Sequence, residues 1–328
     1  MKHVNVSLFV PHLGCPNTCI FCNQKTISGK CKSLTADDII SAAQTAAKGE
    51  YDINNSEIAF FGGSFTAIER EKMIFFLETA KPFIGTYFGG IRISTRPDAV
   101  NEEILSILKA YGVTAIELGA QSMCDDVLMK NERGHSSRDT EEAASLIKEY
   151  GFSLGLQMMT GLYGSDREKD IYTAEKFIDL KPQTVRIYPT VVLENTALQK
   201  LYENGEYIPD TLENTVSLCS KLLLMFRDSN IKVIRLGLHS GGNVEEGFVA
   251  GVYHPAFREL CEGEIYKSIT EEKLSSLPDG DYQVFVKPSE ISKAAGHKKS
   301  NIRYFEERGK NIKVSGREGL SQYDVLLI

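Results

Sequence analysis

Three cysteines fall within eight residues, Cys15, Cys19 and Cys22 in the stretch GCPNTCIFCNQ. Thiols crowded into one loop suit a disulfide, a zinc clamp or an iron-sulfur cluster. The chain has seven cysteines, an odd number, and the other four, Cys31, Cys124, Cys219 and Cys261, are scattered without paired spacing. A reducing compartment disfavours disulfides. Structural zinc takes four closed ligands, so His12 or Cys31 would have to complete the tetrahedron. Borderline metals accept either donor set, and the spacing does not forbid zinc. Three cysteines alone suit a 4Fe-4S cluster whose fourth iron is left open to a ligand that is not protein.

A loop of this kind needs a rigid frame, and the hydrophobic period describes one. The runs VNVSLFV, EIAFF, IRIST, TAIELG, SLGLQMM and TVRIYP read as strands, with KVIRLGL a seventh candidate. Between them, TADDIISAAQTAAKG, TAIEREKMIFFLETAKPF, NEEILSILKAYG, DTEEAASLIKEYG and DREKDIYTAEKFIDLK space apolar residues three and four apart, as helices do. Thr35 with Asp38 and Thr66 with Glu69 read as helix starts, and three of the helices run into Gly. Strand-helix units in series imply parallel strands with right-handed crossovers. That leaves an open doubly wound sheet or a partial (β/α)6 TIM-like barrel. The unusual residues favour the barrel. The cysteine loop, GGSFT (62–66), STRPD (94–98), GAQS (119–122), MTGLYG and YPT (188–190) each follow a strand, and strand C-terminal ends converge on one mouth.

With 328 residues and 42% apolar content, the chain can bury one large core or two smaller ones. No stretch approaches the ~20 apolar residues of a membrane span, and MKHVNVSLFVPHLG is a poor leader because Pro11 interrupts a short apolar run. The expectation is a cytoplasmic protein that does not enter membranes. A net charge of −7 argues against indiscriminate nucleic-acid binding. Residues 287–317 nevertheless hold nine lysines and arginines against three glutamates, a local excess of +6.

The strand-helix rhythm breaks near HSGGNVEEG (239–247). Residues 4–238 therefore read as the barrel and 239–328 as a small C-terminal α+β extension. There DYQVFVKP, NIKVSG and YDVLLI are strand candidates, and SEISKAAGHKKSNIRYFEERG is a helix or a pair broken at Gly296. Met158 and Met159 read as core, and Glu117 as a carboxylate that either points into the barrel or is salt-bridged in the core. His254 with Pro255 reads as the entry to the helix PAFRELCEGEIY.

The pattern C-x3-C-x2-C, with Phe21 just before the last cysteine and a β/α series behind it, resembles the radical S-adenosylmethionine superfamily. FFGGSFTAI, STRPD, ELGAQS, MKNERGHS and VRIYPTVVLENTALQKLYENGEY are similar, in matching order over roughly residues 4–237, to the radical domain of the Elongator catalytic subunit. The chain departs from that pattern in two ways. Cys15 and Cys19 are only four apart, and nothing after residue 240 looks like an acetyltransferase domain, so acetyl-CoA chemistry is not carried over. RGHS also resembles the oxygen-independent coproporphyrinogen oxidases.

The resemblance implies that Cys15, Cys19 and Cys22 hold three irons while S-adenosylmethionine binds the fourth through its amino and carboxylate groups. It implies an external electron donor of flavodoxin or ferredoxin type, cleavage of the cofactor, and hydrogen abstraction from a substrate. Gly62 and Gly63, with Ser64, would admit the methionine amino group. Ser94 and Arg96 would reach the ribose and the carboxylate, Gln121 and Tyr188 would add rim contacts, and Phe21 would lie against the adenine. The tRNA substrates of the Elongator-like family make RNA the expected partner, met by residues 287–317 with Tyr304 and Phe305 among their charges. A porphyrinogen-type reaction on a small molecule and a metal-binding RNA-binding protein without catalysis are the alternatives.

Overall fold

Runs such as NVSLFV and TVRIYP can bury one side chain in two, and they do so in a computed structural model that describes residues 4–10, 19–23, 34–238 and 243–328. Along the chain come β1 (Asn5–Val10), β2 (Glu57–Gly62), β3 (Gly90–Thr95), β4 (Val113–Gln121), β5 (Ser153–Thr160), β6 (Thr184–Pro189), β7 (Val191–Leu193) and β8 (Lys232–Leu236). Among the described residues, seven of these pair in parallel in the order β1-β2-β3-β4-β5-β6-β8, a curled half-barrel. The partial barrel expected from six units is thus present, and KVIRLGL supplies its seventh strand.

Register explains why the sheet is held in one place. Leu8, Phe60, Ile93, Ile116 and Leu154 are successive partners in one row, all buried on the outer face. Slipping any strand by one residue would turn its apolar side chains onto the other face. Each buried side chain of this size stabilises by roughly 1.5–3 kcal/mol.

Helices flank the sheet. They are α1 (Ala36–Ala47), α2 (Arg70–Ala80), α3 (Glu102–Ala110), α4 (Asp125–Lys130), α5 (Ser137–Glu149), α6 (Arg167–Leu180), α7 (Ala197–Glu203) and α8 (Leu212–Asp228). The Thr35–Asp38 capping box opens α1 as its sequence foretells. Thr66 does not open α2. It sits in a single 3-10 turn, its hydroxyl 2.6 Å from both Thr95 Oγ1 and the Ala99 carbonyl oxygen, and α2 begins only at Arg70. The partners that claim this hydroxyl come from a distant strand end, which local spacing cannot reveal.

The C-terminal part begins with β9 (Phe248–Gly251), paired antiparallel to β7. α9 (Phe257–Leu274) follows; its N-cap is Ala256, so Pro255 lies ahead of the helix rather than in its first turn. The His254 Nδ1 accepts the Ala256 N–H at 3.0 Å. β10 (Gly280–Val286), α10 (Ile291–Ala295), α11 (Ser300–Glu306), β11 (Lys310–Gly316) and β12 (Leu326–Leu327) complete a three-stranded sheet in the order β11-β10-β12. Of YDVLLI, Leu326, Leu327 and Ile328 pair with β10. α9 packs against α8, and its Arg258 Nη1 donates to the Val233 carbonyl of β8 at 2.9 Å. Buried residues from β1 to Val325 form one continuous core.

Candidate active site at the strand ends

Cys19 is buried and Cys22 half-exposed at the exit of β1; Cys15, His12 and Cys31 lie outside the described residues. The Cys22 N–H donates to the Cys19 carbonyl at 3.0 Å, so one tight turn separates the two thiols, and neither is in a disulfide. The turn is anchored from both sides. Ile20 N–H donates to Asn131 O, Leu198 N–H donates to Ile20 O, and Asn23 Nδ2 donates to Glu194 O. Ile20 and Phe21 pack against Val192, Leu198 and Tyr207.

Arg133, just beyond α4, stands in the candidate site although spacing did not single it out. Its buried guanidinium donates from Nη1 to Cys19 Sγ at 3.0 Å and from Nη2 to Gly119 O at 2.6 Å. Its Nε has no hydrogen-bond partner among the described residues. Left-handed backbone at Glu132 and Gly134 (φ 53° and 70°) flanks it. The signal for such a turn was the Gly in MKNERGHS. His135 follows, its Nε2 3.2 Å from Ala120 O, which fixes the proton on that nitrogen because a carbonyl only accepts. Burial first, and then the Arg133 charge, push this imidazole down to about 4.

The glycine rim is built for close approach of backbone. Gly62 has φ 113°, and a Cβ there would stand 2.5 Å from the Val10 carbonyl oxygen. Gly63 N–H donates to the same oxygen at 3.1 Å. Ser64 is buried, its Oγ 2.7 Å from Thr95 Oγ1 and accepting the Arg96 N–H at 3.1 Å. Arg96 itself is buried. Its guanidinium forks onto Asp98 at 2.8 and 2.9 Å and donates to the Arg133 carbonyl at 2.6 Å, so it holds its own turn and the backbone of Arg133.

Gln121 closes β4 with φ 69°, an unusual conformation for a residue with a Cβ, and its Oε1 accepts from Gln157 Nε2 at 3.2 Å. Ser94 and Tyr188 stand half-buried on the concave face. Ser94 Oγ reaches Glu117 Oε2 at 3.5 Å. Glu117 both points into the half-barrel and is salt-bridged, to Arg92 at 3.1 Å and to Arg186 at 2.7 Å. Gly155 makes that possible, since a Cβ there would lie 2.8 Å from Glu117 Cγ. On the outer side of the mouth, Asp170 accepts from Gly161 N–H and Ser165 Oγ and so holds the MTGLYG loop; burial pushes its carboxyl up to about 6.

In the extension, the basic segment breaks at Gly296 as its sequence suggests, and Lys298 and Lys299 are consecutive left-handed residues (φ 50° and 62°). Lys287, Lys298, Lys299, Arg303, Arg308, Lys313 and Arg317 are exposed, whereas Lys293 is held by Glu262 and Glu290 at 3.0 Å each. Phe305 is in the core and offers no face to a base. Tyr304 lies under Arg308 at 3.7 Å.

The family model described as Radical SAM superfamily matches residues 9–176, and that of the Radical SAM C-terminal domain matches residues 182–267. The chain belongs to the radical SAM superfamily. Among curated radical SAM relatives, the tRNA uridine(34) acetyltransferase of Methanocaldococcus jannaschii is 35% identical over 131 residues, 39% of this chain and 24% of that protein. Human Elongator complex protein 3 is 27% identical over 196 residues, 53% of this chain and 36% of that protein. The chain therefore spans about a quarter to a third of the curated relatives it matches. Among solved structures, the archaeal Methanocaldococcus infernus Elp3 with an N-terminal deletion superimposes with a TM-score of 0.62 at 22% identity, covering 83% of this chain and 64% of that one. Coproporphyrinogen III oxidase from Escherichia coli gives 0.50 at 16% identity, over 70% and 53%. These two likenesses concern the fold. Among the described residues, no helix is long and apolar enough to cross a membrane.

Proposed function

We propose that this radical SAM protein cleaves S-adenosylmethionine reductively at a 4Fe-4S cluster and takes a hydrogen atom from an RNA substrate, in the reducing cytoplasm. The observation that carries the reading is the pair Cys19 and Cys22, one turn apart at the exit of β1, with a buried guanidinium on Cys19 Sγ. Thiol sulfur is the donor such a cluster takes, and Cys15 is the third ligand by the spacing of the motif. Bound there and reduced, such a cluster would supply the one electron that reductive cleavage of S-adenosylmethionine and hydrogen abstraction require. The electron comes from an external donor of flavodoxin or ferredoxin type.

The chain's own residues position and shield. Arg133, with Nε still open, is placed to meet a carboxylate, while Arg96 orients it from behind through the Arg133 carbonyl. Gly62 and Gly63 admit an amino group past backbone, and Ser64, Ser94, Gln121, Tyr188 and Phe21 line the mouth around it. An RNA substrate is supported by the tRNA uridine(34) acetyltransferase among the relatives and by the exposed cations of residues 287–317. The test is anaerobic reconstitution followed by assay for 5'-deoxyadenosine, with and without unmodified tRNA. Its formation, raised by tRNA, is the expected result. A cluster without 5'-deoxyadenosine would sink the reaction class, and indifference to tRNA would move the substrate to a small molecule.

A further inference from the structure

The concave face carries a line of charges that holding the cofactor does not explain. Arg92 bridges Glu57 at 2.6 Å and Glu117 at 3.1 Å, and Arg186 forks onto Glu117 at 2.7 and 3.0 Å. Four groups are thereby matched in sign. A fifth is not. Arg235 on β8 is the register partner of Arg186 on β6, so two guanidiniums stand side by side on one face. Arg235 donates from Nε to Gly237 O at 2.8 Å and from Nη2 to Leu238 O at 2.6 Å, and it has no carboxylate partner among the described residues.

Carbonyl oxygens solvate a guanidinium without neutralising it. Burial first, and then the neighbouring Arg186 and Arg258 charges, pull the Arg235 pKa down against the pull of Tyr188. A half-buried cation beside two others is costly unless an anion joins it. The line Glu57, Arg92, Glu117, Arg186, Arg235 sums to a single positive charge, which one singly charged oxyanion would balance, and the planar fork suits its oxygens.

A chain of contacts leads from this strand end to a basic turn. Arg235 is the penultimate residue of β8, and just past it a Cβ on Gly237 would meet Phe257 of α9 at 3.0 Å. Ahead of α9, the His254 ring meets His297 edge-on at 5.5 Å, and His297 opens the turn that displays Lys298 and Lys299. A carboxylate on a small molecule would have no use for this second patch, whereas a phosphodiester strand would meet both.

We propose that Arg235, with Arg186 beside it, seats one phosphodiester of a single-stranded RNA segment whose adjoining nucleotide enters the half-barrel, while the Lys298–Lys299 turn meets the strand outside. The proposal rests on the reading of the chain as an RNA-acting radical SAM enzyme.

The experiment uses anaerobically reconstituted holoprotein saturated with S-adenosylmethionine, so that the cofactor's own carboxylate is accounted for. Melting is followed against the dinucleotide UpU, sodium acetate, and sodium chloride at matched ionic strength. UpU should raise Tm saturably, and Arg235→Gln should weaken its apparent affinity about ten- to hundredfold. Arg235→Lys, which keeps the charge and loses the fork, should fall between the two. In chloride alone Arg235→Gln should melt no lower than wild type, because a repelling charge is gone. Four results would overturn the proposal. If wild type gains nothing from UpU while the same preparation yields 5'-deoxyadenosine, the seat is wrong and the reaction class stands. If acetate replaces UpU as the stabiliser, the occupant is a carboxylate. A lower Tm for Arg235→Gln with UpU affinity intact would make Arg235 a staple of the Gly237–Leu238 loop, and weaker S-adenosylmethionine binding would give it to the cofactor. A preparation that forms no 5'-deoxyadenosine at all removes the underlying reading, whatever UpU does.

Discussion

If Cys15, Cys19 and Cys22 hold a 4Fe-4S cluster as proposed, none of the three can be spared, because no fourth protein ligand stands in reserve. Alanine at Cys15, Cys19 or Cys22 should therefore abolish the cluster's visible absorbance and iron content, whereas Cys124→Ala should leave both; a retained cluster in Cys19→Ala would contradict the ligand set. Arg133 offers a finer probe. Its Nη1 points at Cys19 Sγ, so Arg133→Gln removes a positive charge and a hydrogen bond from a proposed ligand sulfur. The cluster should still assemble, but with a more negative reduction potential by redox titration and with S-adenosylmethionine bound about ten- to hundredfold more weakly. His135 links the same corner to pH. Its native imidazole titrates near 4 against 6.5 unfolded, so its contribution to stability is complete above pH 6.5 and is lost as pH falls toward 4. Linkage puts that loss at roughly 3 kcal/mol. Denaturant titrations of His135→Gln, which can still donate to Ala120 O, should show a flatter stability profile across that window; an unchanged slope would assign the acid sensitivity elsewhere.

Strand ends, more than strands, decide the chemistry of this fold. β2 leaves the sheet at Gly62 with φ 113° and passes within contact of the Val10 carbonyl. Gly62→Ala combines a strained backbone with a clash against main chain and should destabilise by roughly 2 kcal/mol or more. Gly205, in the turn after α7, has φ 76° and open space around its would-be Cβ. Gly205→Ala should cost only about 1 kcal/mol. Chemical denaturation of the two variants checks the contrast, and equal losses would mean that the approach to Val10 is not tight. Helix starts divide in the same way. Thr35 caps α1 because its partner Asp38 is local, while Thr66 is claimed by Thr95 and Ala99 from the far side of β3.

For the molecule as a whole, the uneven charge should appear in its response to salt. If residues 287–317 meet an RNA backbone, log affinity for tRNA should fall linearly with log salt, and Lys298→Glu with Lys299→Glu should lower affinity and make that slope shallower. Both lysines are exposed and their turn is left-handed, so the double variant alters charge without opening the core. Identical salt series for wild type and variant, measured by filter binding or anisotropy, would remove this face as the docking surface.

Much of this protein is legible along the chain because the forces concerned are local or periodic. Alternating apolar residues foretell the parallel strands, and the spacing of Gly, Ser and Arg after successive strands foretells a shared mouth. The concave charges are not legible. Glu117 and Arg186 lie 69 positions apart and meet only because the register lets Gly155 stand between them. Arg133 comes against Cys19 from 114 positions away. Arg96, which in sequence reads as a cofactor contact, finds Asp98 in its own turn and the Arg133 carbonyl beyond it. Residue type and spacing report what a side chain is able to bond; which bond it makes depends on which strand ends the curled sheet brings together, and that is set by long-range pairing.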